Sequence, residues 1–268
     1  MKKLKVLALV LAAALACMSL TACGGSSSGS SDNSGSGDAS AAGGEEAKTI
    51  VVATSPDFPP FESLENNEIM GIEVDIMDLI AQDLGMTVKY EQMDFDSVIP
   101  GVQAGKFDVG MSGITITEDR QKNCDFTNPY FMASQAIVVT PDSPITGKAD
   151  LEGKKVSVQT GTTAEEYCMD NGYEVLAFTA NNDAASALTT GKVDAWVVDN
   201  EVAVALAAQQ GLTVLDEAMT SEPYAFAFAK GSDELVQSFN ESLQKLMDDG
   251  SVQKIFDKYG VLYVAPEG

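Results

Sequence analysis

The chain has 268 residues, room for one large domain or two small ones, and its 45% apolar content is that of a folded protein rather than a disordered one. Sixteen basic residues against 40 acidic ones leave a net charge of −24, which repels phosphate backbones and anionic lipid and argues against nucleic acid as a partner. Histidine is absent, so Ser-His-Asp and Cys-His catalysis are excluded, together with any metal site that needs imidazole.

The N-terminus reads as an address. Lys2, Lys3 and Lys5 precede an apolar run from Val6 to Ala16 that is too short to span a bilayer comfortably, the pattern of a signal peptide over residues 1–22. Leu20-Thr21-Ala22-Cys23 then has the order of a bacterial lipobox: an aliphatic residue, two small ones and a cysteine. An ordinary secretory signal that happens to contain a cysteine is the plainer alternative. The position of Cys23, at the end of the apolar run and directly after small residues, favours cleavage before it and lipidation of its sulfur, and a diacylated cysteine anchors stably. Cleavage removes three lysines and leaves 13 basic against 40 acidic residues, a net −27. Fifteen of residues 24–47 are Gly or Ser, so 23–47 is expected to be the lipidated cysteine and a flexible tether. The folded part is therefore expected outside the cytoplasm, anchored to the outer face of the cytoplasmic membrane, or periplasmic in a Gram-negative cell. No later apolar run reaches 18 residues.

From Thr49 onward, strand and helix patterns alternate. Ile50 to Ala53 reads as a buried strand; Ile72, Ile76, Met77, Ile80 and Leu84 mark one face of a helix that Gly85 ends. Thr87–Tyr90 is strand-like, Phe95–Ala104 reads as a helix entered through Asp96-Ser97 and closed by Gly105, and Phe107–Met111 as a strand. A second series follows. It has strands at Ala136–Val139, Lys155–Val158, Glu174–Phe178, Val193–Val198 and Tyr224–Ala229. Its helices run from about Thr163 to Asp170, from Asp183 to Thr189 and from Glu201 to Ala208. Leu235, Phe239, Leu243 and Leu246 share a face of a long helix capped by Gly250, and Val252, Phe256 and Tyr259 mark a short last one. These are two α/β units of about 100 residues, each with a mostly parallel sheet covered on both faces, and they share no convincing sequence repeat.

Ligands in such folds sit at the carboxyl ends of strands. Four constellations lie there. In Gly110-Met111-Ser112-Gly113-Ile114-Thr115-Ile116-Thr117-Glu118-Asp119-Arg120, small and hydroxyl residues lead to the sole arginine, whose planar fork suits a carboxylate; a surface salt bridge is the ordinary alternative. Gln159-Thr160-Gly161-Thr162-Thr163 opens a helix with free N–H groups and hydroxyls, an anion site or a plain threonine N-cap. Asp199, ending Trp196-Val197-Val198-Asp199-Asn200, offers either an acceptor for an ammonium group or the N-cap of the next helix. Phe58, in Ser55-Pro56-Asp57-Phe58-Pro59-Pro60-Phe61-Glu62, and Phe95, in Met93-Asp94-Phe95-Asp96, flank turns and suit a pocket wall, whereas core packing accounts equally for Phe61. An anion clamp, a cation acceptor and an aromatic sandwich together are what an α-amino acid requires.

With these motifs the chain resembles the family 3 extracellular solute-binding proteins, the amino-acid receptors of bacterial ABC importers. The resemblance runs from about Thr49 to Tyr259 through Thr54–Glu62, Gly71-Ile72-Glu73-Val74-Asp75, Asp94-Phe95-Asp96, Gly113–Arg120, Asp125-Phe126-Thr127-Asn128-Pro129-Tyr130, Gln159–Thr163 and Asp194–Asp199. It implies a two-lobed periplasmic-binding-protein-like fold of type II, two α/β lobes joined by a two-strand hinge. Lobe 1 is then about 48–131 plus 225–268, and lobe 2 about 132–224. It further implies that Arg120 and the backbone N–H groups of Thr115 and Thr163 hold a ligand α-carboxylate. Asp199, the Gly113 carbonyl and the Thr115 hydroxyl take the α-ammonium. Phe58 and Phe95 sandwich the side chain, and Ser55, Ser112, Gln159 and Thr162 border the pocket.

One departure bears on specificity. Amino-acid-binding relatives carry an aspartate where this chain has Ser55, which favours a neutral polar ligand, while Asp57 two residues on keeps a basic one open. The implied mechanism is hinge closure on an L-amino acid, followed by recognition of the closed form by an ABC permease. The expected protein is a monomer without cofactor or metal, touching the membrane only through its lipid. A dehydratase-like enzyme processing small carboxylic acids on the same fold is the rival, and would need a tuned acid or base in the cleft; Asp199 and Asp57 are the candidates. A ligand-sensing module is the other rival. Cys124 and Cys168 are expected to be unpaired thiols, although the compartment permits a bridge.

Overall fold

The computed structural model describes residues 47–266. The expected signal peptide, Cys23 and the tether up to residue 46 lie outside them.

Strand Thr49–Thr54 is the centre of the first lobe because both of its faces are apolar. Ile50 and Val52 join a layer with Ile72, Ile76, Met77 and Ile80 of helix Ile72–Asp83; Ala53 faces the opposite layer with Val98 of helix Phe95–Gln103. The sheet runs Thr87–Gln92, Thr49–Thr54, Val109–Gly110, Ala227–Ala229, Cys124–Phe126. Its first three strands are parallel, and Ala227–Ala229 is antiparallel to both of its neighbours.

The second lobe repeats the plan without repeating the sequence. Its order is Glu174–Phe178, Lys155–Gln159, Ala195–Asp199, Gln135–Val139, Thr213–Val214. The first three strands are again parallel, and Gln135–Val139 is antiparallel to its neighbours. The period of two sorts its side chains: Trp196 and Val198 pack with Ala184, Leu188 and Val202, while Ala195 and Val197 pack with Val156, Val158 and Ala164 on the other face.

The lobes are joined where Phe131–Ala133 pairs antiparallel with Glu222–Tyr224, in register Phe131 with Tyr224 and Ala133 with Glu222. This is the two-strand connection that the resemblance implies. It also explains why the strand expected at Tyr224–Ala229 is divided: Tyr224 belongs to the connection, and the chain changes sheets before Ala227. The helices Asp233–Asp248 and Ser251–Lys258 return to the first lobe, where the Phe228 and Phe239 ring centroids are 5.0 Å apart and those of Phe131 and Phe256 are 4.8 Å apart.

Other differences from the sequence reading are local. The strand expected at Phe107–Met111 is confined to Val109–Gly110, because beyond Gly110 the chain turns into the cleft. Helix Phe95–Gln103 is entered through Asp94, not Asp96-Ser97: the Asp94 carbonyl accepts from Ser97 N at 3.0 Å. A small antiparallel sheet of Asp57–Phe58, Glu62–Glu65 and Glu68–Met70 was not anticipated. Its two-residue turn, Asn66-Asn67, has positive φ at both positions, as the twist of a tight hairpin demands. Cys124, in the first sheet, and Cys168, on second-lobe helix Thr163–Asp170, are buried and unpaired.

Candidate functional site

The first-lobe wall begins where strand Val109–Gly110 gives way to Met111-Ser112-Gly113. Gly113 has φ +53°, and a Cβ there would lie 2.4 Å from Phe58 Cε1, so only glycine lets the Phe58 ring lie against this turn. The turn is pinned from behind. Ser112 Oγ donates to Glu62 Oε1 at 2.6 Å, and Gly113 N donates to Glu73 Oε2 at 2.8 Å. Ser55 N donates to Ser112 Oγ at 3.2 Å.

Arg120 projects from the short helix Glu118–Gln121, whose N-cap Thr117 accepts from Arg120 N through its side chain at 3.2 Å. Its guanidinium spans the cleft. Nη1 donates to Thr115 O in the first lobe at 2.9 Å, and Nη2 to Gly161 O in the second at 3.1 Å. The Phe95 ring supports it, with Cζ 5.7 Å from the ring centroid.

On the second-lobe wall, strand Lys155–Gln159 turns through Thr160-Gly161 into helix Thr163–Asp170. Thr162 is its N-cap, accepting from Glu165 N at 3.1 Å and donating to Gln159 O at 2.7 Å. Glu165 Oε2 accepts from Gly161 N at 2.6 Å. The N-terminal N–H groups of this helix have no intrahelical acceptor and suit an anion.

Asp199 ends its strand at 7% exposure, makes no side-chain cap to the following helix, and accepts from Tyr224 OH at 2.5 Å. Asp199 thus occupies the N-cap position of the next helix while its side chain is spent on Tyr224 and not on a cap. Beside it on the connecting strand is Glu222. Its Oε2 accepts from Thr115 Oγ1 at 2.7 Å and from Thr163 Oγ1 at 2.6 Å, one hydroxyl from each lobe, and its Oε1 accepts from Thr220 Oγ1 at 2.8 Å.

The two walls face one another across a narrow pocket with about 10 Å³ of free space. Phe58, Phe95, Ser112, Gly113, Thr115 and Arg120 line it from the first lobe; Gln159, Thr162, Thr163 and Asp199 line it from the second. Ser55 stands behind this lining, joined to Ser112 and, through its Oγ, to Asp57 at 3.1 Å.

A family model for bacterial extracellular solute-binding proteins, family 3, matches residues 50–261. The chain belongs to this family. It is 31% identical over 260 residues to the arginine-binding extracellular protein ArtP of Bacillus subtilis (strain 168), covering 94% of this chain and 96% of that one. It is also similar to two solved structures of ancestral arginine-binding proteins. The one bound to glutamine has TM-score 0.76 and 40% identity, covering 81% of this chain and 99% of the other; the one bound to arginine has TM-score 0.75 and 41% identity, covering 79% and 98%. The molecule is an extracytoplasmic solute-binding protein with the two-lobed type II fold, a binding protein and not an enzyme.

The solute-binding cleft has unusual electrostatics. Burial, and then the charge of Glu222, push the Asp199 pKa up to about 8. Burial pulls the Arg120 pKa below its ordinary value, against the opposing charges of Glu222, Glu166 and Asp199. Burial also raises the Asp57 carboxyl, although hydrogen bonds from Asn181 N, Ser55 and Gln159 oppose it.

Sequence reasoning about this solute-binding protein missed one cleft residue and misjudged the role of another. Glu222 lies in Ser221-Glu222-Pro223-Tyr224, which carries no motif, and only the pairing of the connecting strands brings it between Thr115 and Thr163. Asp57 was considered as a stand-in for an aspartate at Ser55 and as an acid or base of a rival enzyme, not as a link between the lobes. Its carboxylate instead accepts from Asn181 N at 2.9 Å and from Gln159 Nε2 at 3.3 Å, both in the opposite lobe.

Proposed function

We propose that this solute-binding protein captures an L-amino acid between its lobes and delivers it to the membrane permease of an ABC importer. Arg120, with the N–H groups of Thr115 and Thr163, takes the α-carboxylate. Asp199, the Gly113 carbonyl and the Thr115 hydroxyl take the α-ammonium; a hydroxyl donating to Glu222 keeps its lone pairs for that role. Phe58 and Phe95 flank the side chain, and Ser112, Gln159 and Thr162 border it, with Ser55 behind. Lobe 1 comprises 48–131 with 225–268, and lobe 2 132–224. Residues 1–22 are the signal peptide, Cys23 carries the lipid, and 24–47 tether a monomer to the outer face of the membrane.

The observation that carries the ligand class is the charge count of the cleft. Arg120 is its single cation, while Asp199, Glu222 and Asp57 are carboxyl groups taken from water on its walls or rim. A zwitterion leaves that surplus uncompensated, whereas a cationic side chain between two aromatic rings offsets part of it. A basic amino acid is therefore the preferred ligand, which reverses the preference drawn from Ser55. The arginine-binding names of its relatives point the same way. A neutral polar ligand is the second reading. It is favoured by the commitment of Asp57 to Asn181 and Gln159, and by the ancestral relative bound to glutamine.

Thermal melting of ligand-stripped protein against the twenty L-amino acids plus ornithine and citrulline tests both. Ligand at 100 times its Kd adds about 2.7 kcal/mol, a shift of several degrees. Arginine, lysine or ornithine should give the largest shift. A shift with glutamine or asparagine alone selects the second reading, and no shift at all overturns the amino-acid assignment.

A further inference from the structure

Behind the Ser112–Gly113 turn lie two glutamates that the ligand scheme does not use. Glu62 and Glu73 are both 0% exposed. They come from different elements, the small antiparallel sheet and the first turn of helix Ile72–Asp83, and neither joins an ion pair with any lysine or arginine of the described residues. Three of their four oxygens are engaged: Glu62 Oε1 by Ser112 Oγ at 2.6 Å, Glu73 Oε2 by Gly113 N at 2.8 Å, and Glu73 Oε1 by Tyr130 OH. The fourth, Glu62 Oε2, is buried with no donor, and the two carboxyl groups hold adjacent residues of one turn, Ser112 and Gly113.

We infer that the two side chains share one proton, carried on Glu62 and donated to Glu73, and that this acid–carboxylate pair positions the Ser112–Gly113 turn. Two bare carboxylates gripping adjacent residues of one turn inside an apolar layer would repel at low dielectric, and each would lack a counter-charge. The hydrogen bonds decide where the proton resides. Gly113 N–H cannot reverse its direction, so Glu73 must present an acceptor to it, and both Glu73 oxygens are already accepting. Glu62 Oε2 is the one atom that a proton converts from an orphan into a donor. The other titratable groups facing the pair are Asp57, Tyr90 and Tyr130, none of them a cation, and burial raises the Glu62 carboxyl well above its ordinary range. Glu62 and Glu73 touch no ligand; they are positioning residues. The link to affinity rests on the reading of Ser112 and Gly113 as ligand contacts, while the proton itself does not.

The experiment has two arms. Infrared spectroscopy of the ligand-free protein at neutral pH, with and without ¹³C-glutamate, should show a protonated-carboxyl C=O band that shifts with the label and disappears in Glu62→Gln. Its absence overturns the inference whatever the protein binds. In the second arm, L-arginine and L-glutamine are titrated into both variants. Glu62→Gln keeps an acceptor for Ser112 and a donor for Glu73, so affinity stays within about threefold of wild type. Glu73→Gln must turn a donor toward Gly113 N–H, Tyr130 or Glu62, and affinity falls about tenfold or more. Equal losses in the two variants overturn the inference. If Glu73→Gln does not fold, melting temperatures decide: Glu62→Gln must restore most of what Glu62→Ala loses. If neither amino acid binds the wild type, the ligand assignment fails while the infrared band still tests the proton.

Discussion

The carboxylate of Asp57 accepts a hydrogen bond from the backbone N–H of Asn181 at 2.9 Å, and the two residues belong to opposite lobes. Asn181 is the first residue of helix Asn181–Thr189, so the first-lobe charge sits on the positive end of a second-lobe helix dipole. The bond can exist only when the cleft is closed. Replacing Asp57 with Asn keeps the shape and removes the charge, at an expected cost to closure of about 1–2 kcal/mol. Ligand affinity should fall about tenfold as the competent population shrinks, and the radius of gyration of the ligand-free protein, measured by X-ray scattering, should rise. Unchanged affinity and radius would show that the clasp contributes nothing to closure.

Arg120 makes one hydrogen bond to each lobe from a single guanidinium. Lysine keeps the charge but offers one compact group, so Arg120→Lys cannot hold Thr115 O, Gly161 O and a carboxylate together. Calorimetry with the best ligand should show a loss of about 2–4 kcal/mol. The melting temperature of the ligand-free variant should move far less, because the arginine bonds two carbonyls of the cleft walls and packs into neither hydrophobic core.

Asp199 predicts a pH dependence with two signs. Its folded pKa of about 8 lies above the ordinary carboxylate value, so the folded state holds this proton more tightly than the unfolded chain does. The resulting stability is fully present below the unfolded pKa, declines as pH rises, and is lost above about 8. Asp199→Asn removes that slope, and its melting temperature should gain on wild type between about pH 5 and pH 9. Binding runs the other way. An α-ammonium needs the ionised carboxylate, so capture near pH 7 releases a proton and affinity rises by up to about tenfold per pH unit until Asp199 is ionised. Calorimetry in buffers of different ionisation enthalpy measures that proton, and heats independent of buffer would exclude Asp199 as the ammonium acceptor.

Gly113→Ala places a methyl group 2.4 Å from Phe58 Cε1 on a backbone at φ +53°. The ring must move, and the expected destabilisation is about 1–3 kcal/mol, measurable by urea denaturation, with a larger proportional loss of ligand affinity. Gly85→Ala is the control: it has similar φ, +66°, and open space around it, so it bears the backbone strain without the clash.

The small turn at Gly113 illustrates what was readable in one dimension. A run of small residues after a strand, ending in the only arginine, was enough to mark residues that the fold brings to one pocket wall, because backbone approach and a planar donor fork are properties of residue type. The unbroken apolar run from Ile50 to Ala53 and the four-residue spacing from Ile72 to Ile80 likewise declared a buried strand and the helix above it. Burial on one face is written directly into the period of apolar residues. The edges of these elements were less legible. Val109–Gly110 is shorter than its apolar surroundings suggest, since a strand ends where its neighbours end and that depends on the sheet.

The sequence by itself determined the sorting of residues: which segments are apolar on both faces, which turns need glycine, and which side chain can clasp a carboxylate. These follow from the chemistry of each residue and its near neighbours. Only the tertiary structure decided the partners of buried charge. Glu222 meets Thr115 across 107 positions and Asp57 meets Asn181 across 124, and Glu62 and Glu73 come together behind a turn some 40 to 50 residues further along the chain. A carboxylate looks the same in sequence whether it is solvated or buried. Its neighbours, and therefore its proton, are set by how two sheets and their connecting strands close on one another.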